Sequence, residues 1–121
     1  MMGELLRVKS GVPAQHAHTT ETMTDSGDIP LTSGTIVLED AAAVIAATIP
    51  ATLVKPGNEW LIWHGTGTQA HTVTLPAGVT WDGTNNTATL NALDESLLVR
   101  VISSTRLHII VNNGAVALSD V

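Results

Sequence analysis

The chain has 121 residues, which is enough for one domain of ordinary size. It contains no cysteine, so disulfides, thiolate metal ligands and cysteine nucleophiles are excluded. Five Lys and Arg stand against 11 Asp and Glu, a net charge of −6 that argues against nucleic-acid binding, because phosphate backbones require clustered cations. We find no signal-peptide pattern at the start and no apolar run long enough to span a bilayer, so we expect no membrane partner.

Residues 1–28 differ in composition from the rest of the chain. A short apolar and basic stretch comes first, and residues 10–28 are then polar and rich in turn formers, with no period of 2 or 3.6. We therefore predict an extended N-terminal arm over residues 1–28, whose first residues are able to add a strand to an exposed sheet edge. The candidate partner-binding residues of this arm are Leu5, Leu6, Val8 and Val12.

From Ile29 onward, short apolar or alternating runs recur between turn residues. The turn signals include Pro50, the run Lys55–Asn58, and Asp82 followed by Gly83. The predicted strands are Thr35–Leu38, Ala43–Ile49, Glu59–His64, His71–Leu75, Val79–Trp81, Thr87–Leu90, Ser96–Ile102, Leu107–Val111 and Ala115–Leu118. The alternative over Asp40–Ala47 is a helix, because alanine favours helices, but Pro50 follows closely and we favour a strand.

This spacing predicts an all-β domain over residues 29–121. About eight short antiparallel strands at regular intervals are typical of a small β-sandwich or a jelly-roll-like barrel. The chain lacks phenylalanine and tyrosine, so we expect valine, isoleucine, leucine and alanine to fill the core. Charged residues make up only 13% of the chain, and a surface with so few charges indicates contact with partners.

The histidines and acidic pairs are the groups whose side chains are able to take part in catalysis or metal binding. His16 and His18 are weak candidates for metal ligands, because on a strand both imidazoles would face the same side. For His64, His71 and His108 we favour structural roles, since no Ser/His/Asp set or nucleophile elbow accompanies them. The pairs Glu39-Asp40 and Asp94-Glu95 are interpreted as turn charges, and the loop from Asp82 to Asn86 as a turn rather than a calcium site.

Trp60 and Trp63 are candidate partner-binding residues. They are three positions apart in one predicted strand, so they face opposite sides of it. One of them is expected in the core, and the other as an exposed anchor at an interface or, alternatively, as a stacking platform for a sugar. We predict no catalytic residues, no enzyme activity and no cofactor.

Three stretches resemble small β-rich virion proteins of tailed bacteriophages. They are His71–Leu75, Trp81–Ala92 and Ser103–Leu107, followed by a similar ending at Asn112–Ser119. The resemblance covers about residues 31–119 and consists mainly of turns between alternating strands. In size, acidity and arm, the chain is most similar to head decoration (cement) proteins.

The resemblance implies a function, partners and a location. The protein would bind the outside of the phage head, as a homotrimer in contact with the major capsid protein, and stabilise the shell against the pressure of packaged DNA. It would reside on the outer surface of the virion, assembled in the host cytoplasm. The alternative is a tail-fibre, spike or host-surface (glycan) binding module, in which an exposed tryptophan and Asn85-Asn86 would form a sugar site. A β-sandwich enzyme acting on carbohydrate would need convergent carboxylates, which the sequence does not supply.

Overall fold

The structure is a computed structural model that describes residues 19–121. These residues form strands joined by turns and one short 3-10 turn at Ala51–Leu53, with no α-helix in the described range. The strands are β1 (Thr20–Met23), β2 (Gly27–Asp28), β3 (Gly34–Glu39), β4 (Ala46–Thr48), β5 (Glu59–Thr66), β6 (His71–Thr74), β7 (Thr87–Leu90), β8 (Ser96–Ser103), β9 (Arg106–Asn113) and β10 (Ala117–Ser119). The all-β prediction is confirmed.

The strands form two mixed sheets of five strands each. Their orders are β1-β3-β5-β8-β9, called sheet A below, and β10-β7-β6-β4-β2, called sheet B. Each sheet has two free edges, so neither closes on itself and the predicted jelly-roll-like barrel is wrong. Within the described part of the chain, no helix is long and apolar enough to cross a membrane.

The prediction that the strands are antiparallel is wrong for the first half of the chain. From β1 to β6 the chain alternates between the two sheets, so each strand pairs in parallel with the strand two places later. Ile36 pairs with Ile62 in sheet A and Ala47 with Val73 in sheet B, so one offset of 26 residues relates the second and third windings in both sheets. Consecutive strands form antiparallel hairpins only later, as β6 with β7 and β8 with β9.

Individual elements follow the predicted runs with a few differences. The β8–β9 hairpin turns between Ser103 and Arg106, as predicted. The Asp40–Ala47 stretch is not helical, since Asp40 accepts backbone hydrogen bonds from Ala42 and Ala43 and a strand follows from Ala46. Val79–Trp81 is not a full strand, because only Thr80 pairs, through a single parallel bridge to Arg106.

The last residues of the predicted arm lie in the two sheets. Thr20–Met23 pairs with β3 at one edge of sheet A, and Gly27–Asp28 pairs with β4 at one edge of sheet B. Met23 is buried in the core. The segment from residue 19 to residue 28 is therefore held by main-chain pairing, while residues 1–18 lie outside the described part.

One hydrophobic core is shared by both sheets. Trp60 and Trp81 are its largest side chains, and aliphatic residues fill the remainder, as expected for a chain without phenylalanine. Sheet A contributes Ile36, Leu38, Trp60, Ile62, Leu97, Val99, Val101 and Leu107, and sheet B contributes Ala47, Val73, Ala88 and Leu90. At roughly 25 cal/mol per Å² of apolar surface removed from water, this burial is the main force that holds the sheets together.

Candidate interaction surface

The side of sheet A that faces away from the core is unusually apolar. Strand alternation puts Ile62 inside and its neighbours Leu61 and Trp63 outside, and β8 alternates in the same way. Residues of β3 and β9 join this side through their register with β5 and β8, although a β-bulge interrupts β9. We call this side the apolar face and define it by Thr35, Val37, Leu61, Trp63, Leu98 and Val111. Thr35, Leu61, Leu98 and Val111 form one row across four strands, because each is the register partner of the next.

Several of these side chains remain partly open to solvent. Leu61 and Trp63 are each 37% exposed, and Val111 is 50% exposed. Ile110, beside Val111 at a β-bulge of the edge strand β9, is also exposed. Single exposed apolar residues are common on proteins, but a contiguous row of them indicates a surface for a partner.

The two tryptophans of β5 have different environments. Trp60 is fully buried and donates its indole N–H to the carbonyl of Leu31 at 2.8 Å. It therefore offers no surface to a partner, and it is the one of the two tryptophans that lies in the core. Trp63 lies on the apolar face, and its indole N–H donates to Asp94 at 3.2 Å, so its polar edge is satisfied while the ring is partly open.

A depression of about 260 Å³ lies on the apolar face, toward the end of sheet A where β1 begins. Gly34, Thr35, Glu59, Leu61 and Leu98 line it. Gly34 has a φ of +137°, and a Cβ placed there would lie 2.4 Å from the carbonyl oxygen of Thr19, so only glycine fits at this point. Small residues on one side and leucines on the other make a pocket suited to an apolar side chain.

Two charged residues beside the depression, Glu59 and Arg100, are paired with each other, and Asp94 lies at the edge of the face beside Trp63. Glu59 on β5 and Arg100 on β8 are register partners, and their side chains approach to 3.4 Å. The pair is partly exposed, so it adds little to stability. Its effect on the surface is to leave the middle of the face without an isolated charge.

Two of the candidate histidines are brought together between the sheets. His64 of sheet A and His71 of sheet B are both fully buried, and their rings stack with centroids 4.7 Å apart. His71 Nδ1 accepts the backbone N–H of Ile45 at 2.9 Å, and His64 Nε2 donates to the carbonyl of Gln69 at 2.7 Å. His64 Nδ1 and His71 Nε2 have no protein partner.

These hydrogen bonds determine which ring nitrogens carry protons. His71 must keep Nδ1 unprotonated in order to accept from Ile45, so its hydrogen is on Nε2. Burial lowers the pKa of His71, the neighbouring His64 lowers it further, and Asp40 opposes them weakly. His71 is therefore a neutral ring in the contact between the sheets. No group of three His, Asp or Glu side chains in residues 19–121 is arranged to hold a metal ion.

The acidic residues between strands act mainly in turns. Backbone hydrogen bonds from Ala42 and then Ala43 hold the pKa of Asp40 below its usual value. Hydrogen bonds from Asn85 and Thr84 lower the pKa of Asp82 in the same way.

Glu95 differs from the prediction of a solvated charge. It is buried, and its carboxylate accepts the backbone N–H groups of Asn91 and Ala92, which closes the turn before β8. The carboxylate thus replaces water as the acceptor for two main-chain donors.

The proposed sugar site does not assemble from the predicted residues. Asn85 donates to Asp82, and Asn86 exchanges two hydrogen bonds with the backbone of Val121. These amides adjoin β7 of sheet B, whereas Trp63 lies on sheet A. Leu5, Leu6, Val8, Val12, His16 and His18 lie outside the described residues.

An exposed tryptophan at an interface was expected in β5, but the row of apolar residues beside it was not, although the sequence carries a signal for that row. β5 reads Trp60-Leu61-Ile62-Trp63, and β8 begins Ser96-Leu97-Leu98-Val99, both with apolar residues at successive positions. A strand with one solvated face alternates, whereas a continuous apolar run indicates a strand that is covered on both faces.

Comparison with known proteins leaves the chain without an assigned family. No protein-family model matches it, and no curated protein is similar enough in sequence to count as a relative.

Proposed function

We propose that this chain is a structural virion protein of the decoration (cement) type, which binds the outer surface of a tailed-phage head and stabilises the shell. The observation that carries the proposal is the apolar face, a surface whose composition suits burial against another protein. In this proposal the two sheets form a β-sandwich that serves as a rigid block.

The resemblance to phage virion proteins supports the proposal through elements of known position. His71–Leu75 contains β6, Trp81–Ala92 contains the Asp82 turn and β7, and Ser103–Leu107 contains the β8–β9 turn. In the Asp82 turn the carboxylate accepts two backbone N–H groups, at Thr84 and Asn85. The resemblance therefore concerns the turns and strands that form the domain, and it supports a structural role in a virion rather than a particular binding site.

The mechanism of stabilisation is repeated contact. Each copy would bind the major capsid protein and further copies of itself, as a homotrimer, and many modest contacts would oppose outward pressure on the shell. The arm residues Leu5, Leu6, Val8 and Val12 would extend onto a neighbouring capsid subunit. The net charge of −6 suits an outer position, where the protein does not compete for the packaged nucleic acid.

The test is retention on the head. Particles of the phage that encodes the chain are purified, and the ratio of this chain to the major capsid protein is measured after extensive washing. Purified protein is then added back to heads that lack it, and bound protein is measured by sedimentation. We expect a fixed ratio and saturable binding.

Truncation sharpens this test, and the structure sets where to cut. Deletion of residues 1–28 would remove β1 and β2 from the two sheets, so loss of binding would also reflect damage to the fold. Deletion of residues 1–18 leaves every described strand intact. We expect this shorter deletion to weaken head binding by at least tenfold, while absence of the chain from washed heads, or binding to host cells or glycans instead, would overturn the proposal.

A further inference from the structure

We infer that the apolar face is covered by a second copy of this chain, with Trp63 of one copy seated in the depression beside Leu61 and Leu98 of the other. This inference rests on the proposed structural role and names the partner of the same surface. It does not depend on the identity of the particle that the assembly decorates.

The charges of the chain favour a second copy as the partner of the apolar face. With 11 acidic and five basic residues, two copies repel each other at most relative orientations. This repulsion is reduced around the depression, because Glu59 is neutralised by Arg100 within the same copy, while Asp94 lies at the edge of the face beside Trp63. A basic partner would gain more from an unpaired acidic surface, so an internally paired face favours another acidic copy.

The shape of the apolar face also favours a second copy as its partner. A partly exposed indole and an apolar depression lie on the same side of the same sheet, with Trp63 and Leu61 two residues apart on β5. Two copies that meet through the same patch form a two-fold pair, a contact separate from the three-fold contacts of the proposed homotrimer, and each copy supplies both the indole and the pocket that receives it. Tryptophan seated in a pocket is also the commonest anchor of protein interfaces.

The area of the outward side of sheet A is compatible with a weak, specific contact between two copies. The whole outward side of sheet A, which contains the apolar face, has five strands at about 4.8 Å spacing and at most eight residues of roughly 3.3 Å in a strand, so it measures at most about 20 Å by 25 Å. Two such faces together cover about 1,000 Å², which is near the lower limit of specific interfaces. We therefore expect reversible association with a Kd in the micromolar range rather than an obligate assembly.

The test uses the three tryptophans as internal reporters. Trp60 and Trp81 are buried within each copy, so Trp63 is the one whose exposure association changes. The full chain is examined over a dilution series by sedimentation velocity and by acrylamide quenching of tryptophan fluorescence. We expect a mass that is a multiple of the single chain at high concentration, together with reduced quenching, and both effects should disappear on dilution.

Two charge insertions make the test specific. Leu61→Glu places an unpaired charge in the centre of the apolar face and should weaken association at least tenfold. Val44→Glu is the matched control, because Val44 is also half-exposed but lies in the loop before β4, away from the face. Far-UV circular dichroism verifies folding, and Val111→Glu on β9 replaces Leu61→Glu if that variant does not fold.

The outcomes separate this inference from the proposed function. A wild-type chain that stays monomeric at every concentration, or a Leu61→Glu variant that associates as tightly as wild type, overturns the inference even if the chain binds heads. Concentration-dependent association that Leu61→Glu abolishes supports it even if no head binding is found.

Discussion

The outward sides of the two sheets have opposite compositions. The apolar face of sheet A presents leucine, valine and tryptophan, whereas sheet B presents threonine, alanine and serine. We call the second side the threonine face, defined by Ala46, Thr48, Thr72, Thr74, Thr87, Thr89, Ala117 and Ser119. Both faces form rows across paired strands. On the threonine face Thr87 forms hydrogen bonds with Thr74 and Asn86, whereas Leu61, Leu98 and Val111 in the central row of the apolar face have no polar side-chain atoms.

This difference indicates that the two faces have different surroundings. Hydroxyl groups in a row can bond to one another and to water, so the threonine face is stable when it is solvated. The apolar face leaves partly exposed hydrocarbon that gains free energy when it is removed from water. In the proposed arrangement one face meets solvent and the other meets a partner, and the following predictions test that division.

The largest effect is expected inside sheet A, where we compare the two tryptophans of β5. Trp60→Ala leaves a cavity and removes the hydrogen bond to Leu31, so it should lower the free energy of unfolding by about 3–5 kcal/mol. Trp63→Ala, measured in dilute solution where the chain is monomeric, should cost less than about 1 kcal/mol. Urea unfolding followed by circular dichroism gives both values, and similar costs would show that Trp63 belongs to the core rather than to a binding face.

The next largest effect is a dependence of the free energy of unfolding on pH, caused by His71 in the contact between the sheets. The pKa of folded His71 is lowered by burial and by His64, so the unfolded chain binds its proton more readily. Stability from this group is therefore present above the unfolded pKa of about 6.5 and is lost as pH falls toward the folded pKa, with a slope of at most about 1.4 kcal/mol per pH unit. His71→Gln should flatten this slope between pH 7.5 and 5.

The control for this measurement is His108→Gln, which removes a histidine at an exposed position on β9 rather than in the contact between the sheets. Unfolding free energies at a series of pH values provide the measurement. A wild-type chain whose stability does not fall on acidification would contradict the neutral, buried state of His71.

The sequence predicted the elements of this fold better than their pairing. Alternation in His71–Thr74 and Thr87–Leu90 identified β6 and β7, since local pattern determines which face of a strand is buried. Pairing between β3 and β5 is a long-range property, and the offset of 26 residues is not visible because Ile36-Val37-Leu38 and Ile62-Trp63-His64 share one identity. Hairpin reasoning therefore assigned antiparallel neighbours where the chain winds between sheets.

The candidate surface was predictable only in part. The opposite orientation of Trp60 and Trp63 follows from strand alternation, and the structure decides which one is buried. The depression depends on Gly34 approaching Thr19, a contact between two strands that no local pattern reveals. The stacking of His64 on His71 likewise requires knowing that β5 and β6 lie in different sheets.

A smaller effect, on self-association, is expected when a side chain typical of one face is introduced into the other face. Leu98→Thr puts a hydroxyl group in the central row of the apolar face and should weaken self-association by about tenfold, or about 1.4 kcal/mol. Thr89→Leu makes the reverse change on the threonine face. Sedimentation velocity should show that Thr89→Leu does not restore association to Leu98→Thr, and restoration would mean that copies meet through either face without specificity.

The smallest effect is expected within the threonine face itself. Thr74→Val keeps the shape and β-propensity of the side chain but removes its hydroxyl, which bonds to Thr87 at 3.3 Å. Thr87 retains its own hydrogen bond to Asn86, so the loss should be about 0.5–1 kcal/mol of unfolding free energy. Self-association measured on the same protein should be unchanged, because the substitution lies on the face assigned to solvent. If Thr74→Val weakened self-association, the binding surface would have to lie on the threonine face of sheet B rather than on the apolar face of sheet A.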